Sequence, residues 1–255
     1  SDAHDVFDKL QQRSTVTWST LIAGDVEHGF CEEALLLFRD MQKEGLIASN
    51  ITIANVLKAC SAICALDQAK LIHAYSIEIS VESDVLVANT LVYVYIKCGS
   101  FADACNTFNN SLDFDVVTWS AMIAGCSNYV LAIEYFKCML RSGVRPNDIT
   151  FIALLSACSQ EGYVNEGCHH FKSMTLDYDI LASIEHYNCI VDLLGRSGYL
   201  IEAKMVLLTM PFYPDIKVWT SLLSHSKILG NRTLGRRCFN TVTIEDDVSE
   251  ANCTL

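Results

Sequence analysis

No apolar run in the sequence approaches the roughly 18 residues that a membrane-spanning helix needs, so a soluble chain is expected. Prolines are scarce, three in 255 residues, and the glycines are spaced rather than clustered. That punctuation favours regular helices over a sandwich of many short strands. Positive charge is in deficit: 18 lysines and arginines stand against 30 aspartates and glutamates, a net charge of −12. This counts against a general electrostatic grip on nucleic acid, and any such binding must rest on local groups. The twelve cysteines make up about 5% of the chain, below the roughly 8 to 10% of disulfide scaffolds. They lack paired spacing and fall mostly inside helix-like patterns, so they read as small buried thiols of a reducing compartment.

Signatures of chemistry are also missing. There is no nucleophile elbow, phosphate-binding glycine loop or dinucleotide fingerprint, so no catalytic or cofactor-binding residue is assigned and no cofactor is expected. Cys60 and Cys64 lie one helical turn apart, and His169 and His170 follow Cys168. Neither group supplies four ligands at a recognised metal spacing, so both read as packing or surface residues and no metal site is assigned.

What the sequence does have is a repeat. A small residue followed four positions later by a large one recurs as Ala3/Phe7, Ala34/Phe38, Ala69/His73, Ala104/Phe108, Ala132/Phe136, Gly167/Phe171, Ala203/Leu207 and Gly235/Phe239. Residues four apart share a helical face, so each pair offers a close-approach site and a knob on one stripe, as stacked helices require. Five residues before the small position come Gly29, Cys64, Gly99, Gly162, Gly198 and Gly230, where a residue past the C-cap would end a first helix. A third column, Trp18, Ile53, Ala88, Trp119, Phe151, Tyr187 and Trp219, opens that first helix. It is followed four residues on by Ile22, Leu57, Val92, Ile123, Leu155, Val191 and Leu223. Each unit is expected to be helix, tight turn, helix. The columns set units at 15–49, 50–84, 85–115, 116–147, 148–183 and 184–215, with a last one opening at 216. In the fourth unit the small position comes three residues early and the capping glycine five residues before it is gone, which reads as a trimmed inter-helix turn.

Val16-Thr17-Trp18-Ser19-Thr20-Leu21-Ile22, followed by Glu33-Ala34-Leu35-Leu36-Leu37-Phe38 and Met41, resembles the pentatricopeptide repeat (PPR). The tetratricopeptide repeat, of similar length, would carry its own Trp-Leu-Gly-Tyr pattern, which is not seen. The length alternation resembles the P, L and S variants of the plant class, in the order P-L-S-P-L-S over 15–215. Lys58-Ala59-Cys60-Ser61 with Ile72-His73-Ala74 resembles an L unit, and Lys97-Cys98-Gly99-Ser100 an S unit. Met210-Pro211-Phe212-Tyr213-Pro214-Asp215 before Val218-Trp219-Thr220-Ser221 is similar to the junction with an E-type motif, assigned to 216–255. Residues 1–14 read as the second helix of a truncated repeat, and 250–255 as the start of a further helix. The expected fold is therefore all-α, a right-handed α-solenoid of about seven helix-turn-helix repeats.

The resemblance implies a mode of recognition in which the fifth and last residues of a unit address one unstacked base of single-stranded RNA. Carried onto this sequence, the pairs are Ser19/Ser49, Ala54/Asp84, Asn89/Asp115, Ser120/Asn147, Ile152/Ser183 and Asn188/Asp215, with Thr220 the fifth residue of the last unit. By the family's code, Asn with Asp favours U and Ser with Asn favours A. The second residues, Val16, Ile51, Leu86, Val117, Ile149, Glu185 and Lys217, would flank the bases. Ser, Asn and Asp at unit boundaries are also good helix caps, and that reading stands beside the first.

A PLS protein with an E motif implies a specificity factor for C-to-U editing in a mitochondrion or chloroplast. Its partners would be organelle single-stranded RNA, a DYW-type deaminase supplied in trans and helper proteins, with no membrane. The deaminase's own zinc chemistry needs His-x-Glu and a later Cys-x-x-Cys, and this sequence has neither. An organelle RNA stability or splicing factor, and a helical protein-interaction scaffold, are the alternatives.

Overall fold

The computed structural model describes residues 2–10, 12–110 and 114–253, with side chains from residue 4 to residue 243 within those spans. All regular structure among the described residues is helical, and two compact units divide at Gly125 and Cys126. The first unit holds α1 (Asp2–Asp8), α2 (Thr15–Glu27), α3 (Cys31–Lys43), α4 (Asn50–Ala62), α5 (Leu66–Glu78), α6 (Val85–Lys97), α7 (Phe101–Asn109) and α8 (Val116–Gly125). The second holds α9 (Tyr129–Arg141), α10 (Asp148–Glu161), α11 (Val164–Leu176), α12 (Ile184–Arg196), α13 (Leu200–Thr209), α14 (Ile216–Ile228) and α15 (Arg232–Cys253).

Each unit is a stack of helical hairpins. In the first, α2, α4, α6 and α8 pack in succession, and α3, α5 and α7 each back the first helix that precedes it. In the second, α10, α12 and α14 form the row of first helices and α11, α13 and α15 back them, with α9 against α10. The stripe of alternating small and large residues is what buries each hairpin. Ala34, Ala69, Ala104, Ala132 and Ala203 are fully buried, as are Ile53, Leu57, Val92, Phe151, Leu155 and Val191 of the first-helix columns. Phe239 departs from its column and stands 55% exposed: among the described residues no helix follows α15 to cover it. Ala3 lies outside the residues whose side chains are described.

The turns follow from local chemistry. Gly29, Gly99, Gly162, Gly198 and Gly230 all take the left-handed conformation, φ between 71° and 87°, and Cys64 takes it with φ 53°. These are the residues expected to end first helices, and in that conformation the next helix can reverse at once.

Two departures stand out. The three residues missing from the fourth unit come from the helix, not from the turn. The connection Cys126–Asn128 is as long as its counterparts after α2 and α6, whereas α8 has 10 residues where those helices have 13. A Cβ on Gly125, the last residue of α8, would lie 3.0 Å from Ile96 Cγ2 and 3.2 Å from the Phe101 ring, so the helix ends against its neighbours. At the other end, residues 250–253, expected to open a further helix, continue α15, and 254–255 lie outside the described residues.

Candidate nucleic-acid interface

The last residue of each unit is a helix cap. Ser49 Oγ accepts from the Thr52 amide at 3.2 Å, Asp84 Oδ1 from the Leu86 and Val87 amides, and Asp115 Oδ1 from the Thr118 amide at 2.9 Å. Asn147 Oδ1 accepts from the Thr150 amide at 3.0 Å and Asp215 Oδ1 from the Val218 amide at 3.0 Å. Ser183 forms a capping box with His186. Short polar side chains at these positions satisfy otherwise orphaned amides of the first turn, and in doing so they are held at the N-terminal end of each first helix.

The fifth residue lies one turn into the preceding first helix. Asn188 Nδ2 donates to Asp215 Oδ2 at 3.4 Å, so this pair meets directly while Asp215 Oδ1 still caps α14. Ser19 reaches Ser49 through Thr52, whose hydroxyl lies 2.6 Å from Ser19 Oγ and 2.9 Å from Ser49 Oγ. Asn89 and Asn188 each keep a buried Oδ1 with no hydrogen-bond partner among the described residues. Ala54 and Ser120 are buried at 1% exposure, Ile152 is half-buried, and Thr220 is exposed with its hydroxyl donating to the Lys217 carbonyl. Asp84 is engaged by Asn50, whose amide donates to its Oδ2 at 2.9 Å. Of the second residues, Val16, Ile51, Leu86, Val117 and Ile149 are exposed apolar side chains beside the caps. Glu185 differs: it accepts from the Ser183 hydroxyl at 2.7 Å, which with the backbone holds its carboxyl below the usual range.

The sequence reading missed what lies beneath Asn188. Asp192 Oδ2 accepts from Ser159 Oγ at 2.6 Å and from Arg196 Nε at 2.7 Å, and its Oδ1 accepts from Ser221 Oγ at 2.8 Å. One carboxylate thereby joins α10, α12 and α14. Burial pushes this carboxyl up, but the three hydrogen bonds outweigh it and hold Asp192 below the ordinary carboxylate range. The cluster lines a cavity of about 350 Å³ that also takes in Asn188, Arg196 and Lys217. A signal was present: Ser159, Asp192 and Ser221 are spaced 33 and 29 residues apart, about one repeat each.

The cysteine and histidine groups set aside in the sequence fall elsewhere. Cys60 is buried and pushed up to about 12 by desolvation, while Cys64 is exposed in its turn. His170 is buried against α9, its Nε2 2.9 Å from the Tyr129 hydroxyl. Among the described residues no three His, Cys, Asp or Glu side chains gather as metal ligands, and no helix is long and apolar enough to cross a membrane.

Against known proteins, the pattern described as PPR repeat matches residues 16–46, 149–177 and 185–211, and the pentatricopeptide repeat domain matches 106–161, together more than half of the chain. The chain belongs to the pentatricopeptide repeat family. It is 40% identical over 237 residues to pentatricopeptide repeat-containing protein CRR2, chloroplastic, of Arabidopsis thaliana, covering 91% of this chain and 36% of the relative. Identity is also 40% over 229 residues to the Arabidopsis thaliana protein At1g59720, chloroplastic/mitochondrial, covering 87% of this chain and 36% of the relative. This PPR chain thus spans about a third of the length of the curated relatives it matches. Its fold is similar to that of the pentatricopeptide repeat protein PPR10 in a crystal structure with an 18-nt psaJ RNA element. The TM-score is 0.66 at 18% identity, over 95% of this chain and 42% of that one. A crystal structure of the pentatricopeptide repeat protein PPR10 from maize matches with a TM-score of 0.61 at 17% identity, covering 95% of this chain and 40% of that one. The helical-repeat solenoid expected from the sequence is the fold these structures have.

Proposed function

We propose that this PPR chain binds single-stranded RNA along the N-terminal rim of its first helices and reads bases through the Asn89/Asp115 and Asn188/Asp215 pairs. The carrying observation is the geometry at Asn188. Its amide nitrogen is anchored on Asp215, while its Oδ1 is left without a partner. An asparagine amide offers one donor and one acceptor edge. A uracil edge entering the cavity that Asn188 lines, with an N3–H donor between two carbonyl acceptors, satisfies this acceptor once the amide turns toward it. Asn89 repeats the unpaired Oδ1 in the first unit. The exposed aliphatic residues Val16, Ile51, Leu86, Val117 and Ile149 suit the flanks of unstacked bases, and the fold shared with PPR10, solved with RNA, supports the same use of the scaffold.

On this reading the preference is U at 85–115, A at 116–147 and U at 184–215, with the units at 50–84 and 148–183 weakly selective. The chain is then the site-recognition part of a P-L-S-P-L-S protein with an E-type motif at 216–255. It marks a cytidine for C-to-U editing by a DYW-type deaminase acting in trans, in a chloroplast or mitochondrion. The organelle names of its relatives support that location. The test is equilibrium binding to short single-stranded RNAs with matched or scrambled U, A and U positions, at low and moderate salt. Preference for the matched RNA that disappears in Asn89→Ala/Asn188→Ala supports base reading; equal affinity for both RNAs rejects it.

A further inference from the structure

In the row of second helices of the second unit, α13 carries Ile201, Met205 and Leu208 at 75%, 55% and 59% exposure. Their spacing of four and three residues puts them on one stripe two turns long. Single exposed apolar residues are ordinary on a surface, but a contiguous stripe beside a groove marks an interaction site. Such a groove lies here, a cavity of about 310 Å³ between α13 and the start of α15. Leu200 and Leu234 are its buried floor, and Lys204 and Arg237 line it.

We propose that the groove between α13 and α15 docks an acidic amphipathic helix of a partner protein, its apolar face on Ile201, Met205 and Leu208 and its carboxylates on Lys204 and Arg237. Two features select this occupant. An aliphatic and thioether stripe repeating at helical spacing is met by anchors at i, i+3 or i+4 and i+7 of a helix. The edge is cationic on a chain of net charge −12. Beyond the Debye length of about 8 to 10 Å the acidic background is screened, so the local pair of cations decides which charge is accepted. Lys204 on α13 and Arg237 on α15 line the groove from its two sides. Single-stranded nucleic acid is disfavoured because the lining is aliphatic and polar, without the aromatic faces on which unpaired bases stack.

The probes are two synthetic amphipathic helices with one leucine face, one flanked by glutamates and the other by lysines, titrated into the full chain by fluorescence anisotropy. The acidic peptide should bind at least about tenfold more tightly than the basic one. Met205→Glu should abolish binding, and Lys204→Glu/Arg237→Glu should reverse the preference, with circular-dichroism melts of both variants unchanged. Equal binding of the two peptides, or acidic-peptide binding indifferent to the charge reversal, overturns the proposal. So does loss of single-stranded RNA affinity in the charge-reversed variant without peptide binding, which gives the groove to RNA. A concentration-dependent mass in sedimentation that Met205→Glu removes, again without peptide binding, gives it instead to a second copy of the chain.

Discussion

Asn188 and Asp215, 27 residues apart in sequence, meet through a 3.4 Å hydrogen bond from amide to carboxylate. Because Asp215 also caps α14, one side chain sets the start of a helix and the orientation of the amide proposed to address a base. The two roles are separable. Asn188→Ala should weaken binding to a U-matched RNA about fivefold, roughly 1 kcal/mol for a hydrogen-bonding group, with the melting temperature unchanged. Asp215→Ala should lose base preference and also about 1 kcal/mol of stability with the cap. Denaturant unfolding beside RNA titration checks both, and a destabilised Asn188→Ala would contradict this division.

Asp192 fastens three first helices, so its loss should be felt in folding. Asp192→Ala strands Ser159, Ser221 and the Arg196 guanidinium, and about 2 kcal/mol of unfolding free energy should go with them. Arg196→Ala removes a single, half-exposed i,i+4 partner and should cost under about 1 kcal/mol. Chemical denaturation of the two variants compares them, and equal costs would rule out Asp192 as the hub.

The small-residue column makes a graded prediction. A Cβ on Gly167 would collide with the Leu193 side chain, whereas one on Gly235 would meet Ser226 at 3.8 Å, an ordinary contact. Gly167→Ala should therefore destabilise by about 1 to 3 kcal/mol through overpacking. Gly235→Ala should be neutral or stabilising, since alanine is the better helix former. Thermal melts of the pair suffice.

Stability should fall in mild acid. Burial lowers His170 from 6.5 to about 4, and His73 and His186 are lowered in the same direction by desolvation. The unfolded chain then binds protons that the folded one refuses, so stability is full above the unfolded value near 6.5. It declines as pH falls toward about 4. His170 accounts for roughly 2 to 3 kcal/mol of that decline. His170→Gln should flatten part of the slope between pH 6.5 and 4.5 in denaturant-unfolding series, the rest belonging to the other two histidines.

Helix identity was legible because each helix is specified within itself. Apolar residues four apart give Trp18/Ile22 or Phe151/Leu155 a buried face, Ser49 and Asp84 offer caps, and Gly99 or Gly198 supplies the left-handed turn. All of this is contained in a few consecutive residues. The shortening of α8 was placed wrongly because a missing stretch shows in the sequence only as a spacing; Gly125 against Ile96 decides where the chain gives up a helical turn.

By itself the sequence determined the repeat, the all-helical class and the residue types at each hairpin's rim, since periodicity, capping and φ preferences act over four or five residues. Only the tertiary structure decided that Asp192 bridges Ser159 and Ser221, that Asn188 reaches Asp215, and that α13 leaves Ile201 and Met205 beside α15. Those relationships join residues about 30 positions apart, and the packing of one hairpin on the next fixes which side chains meet.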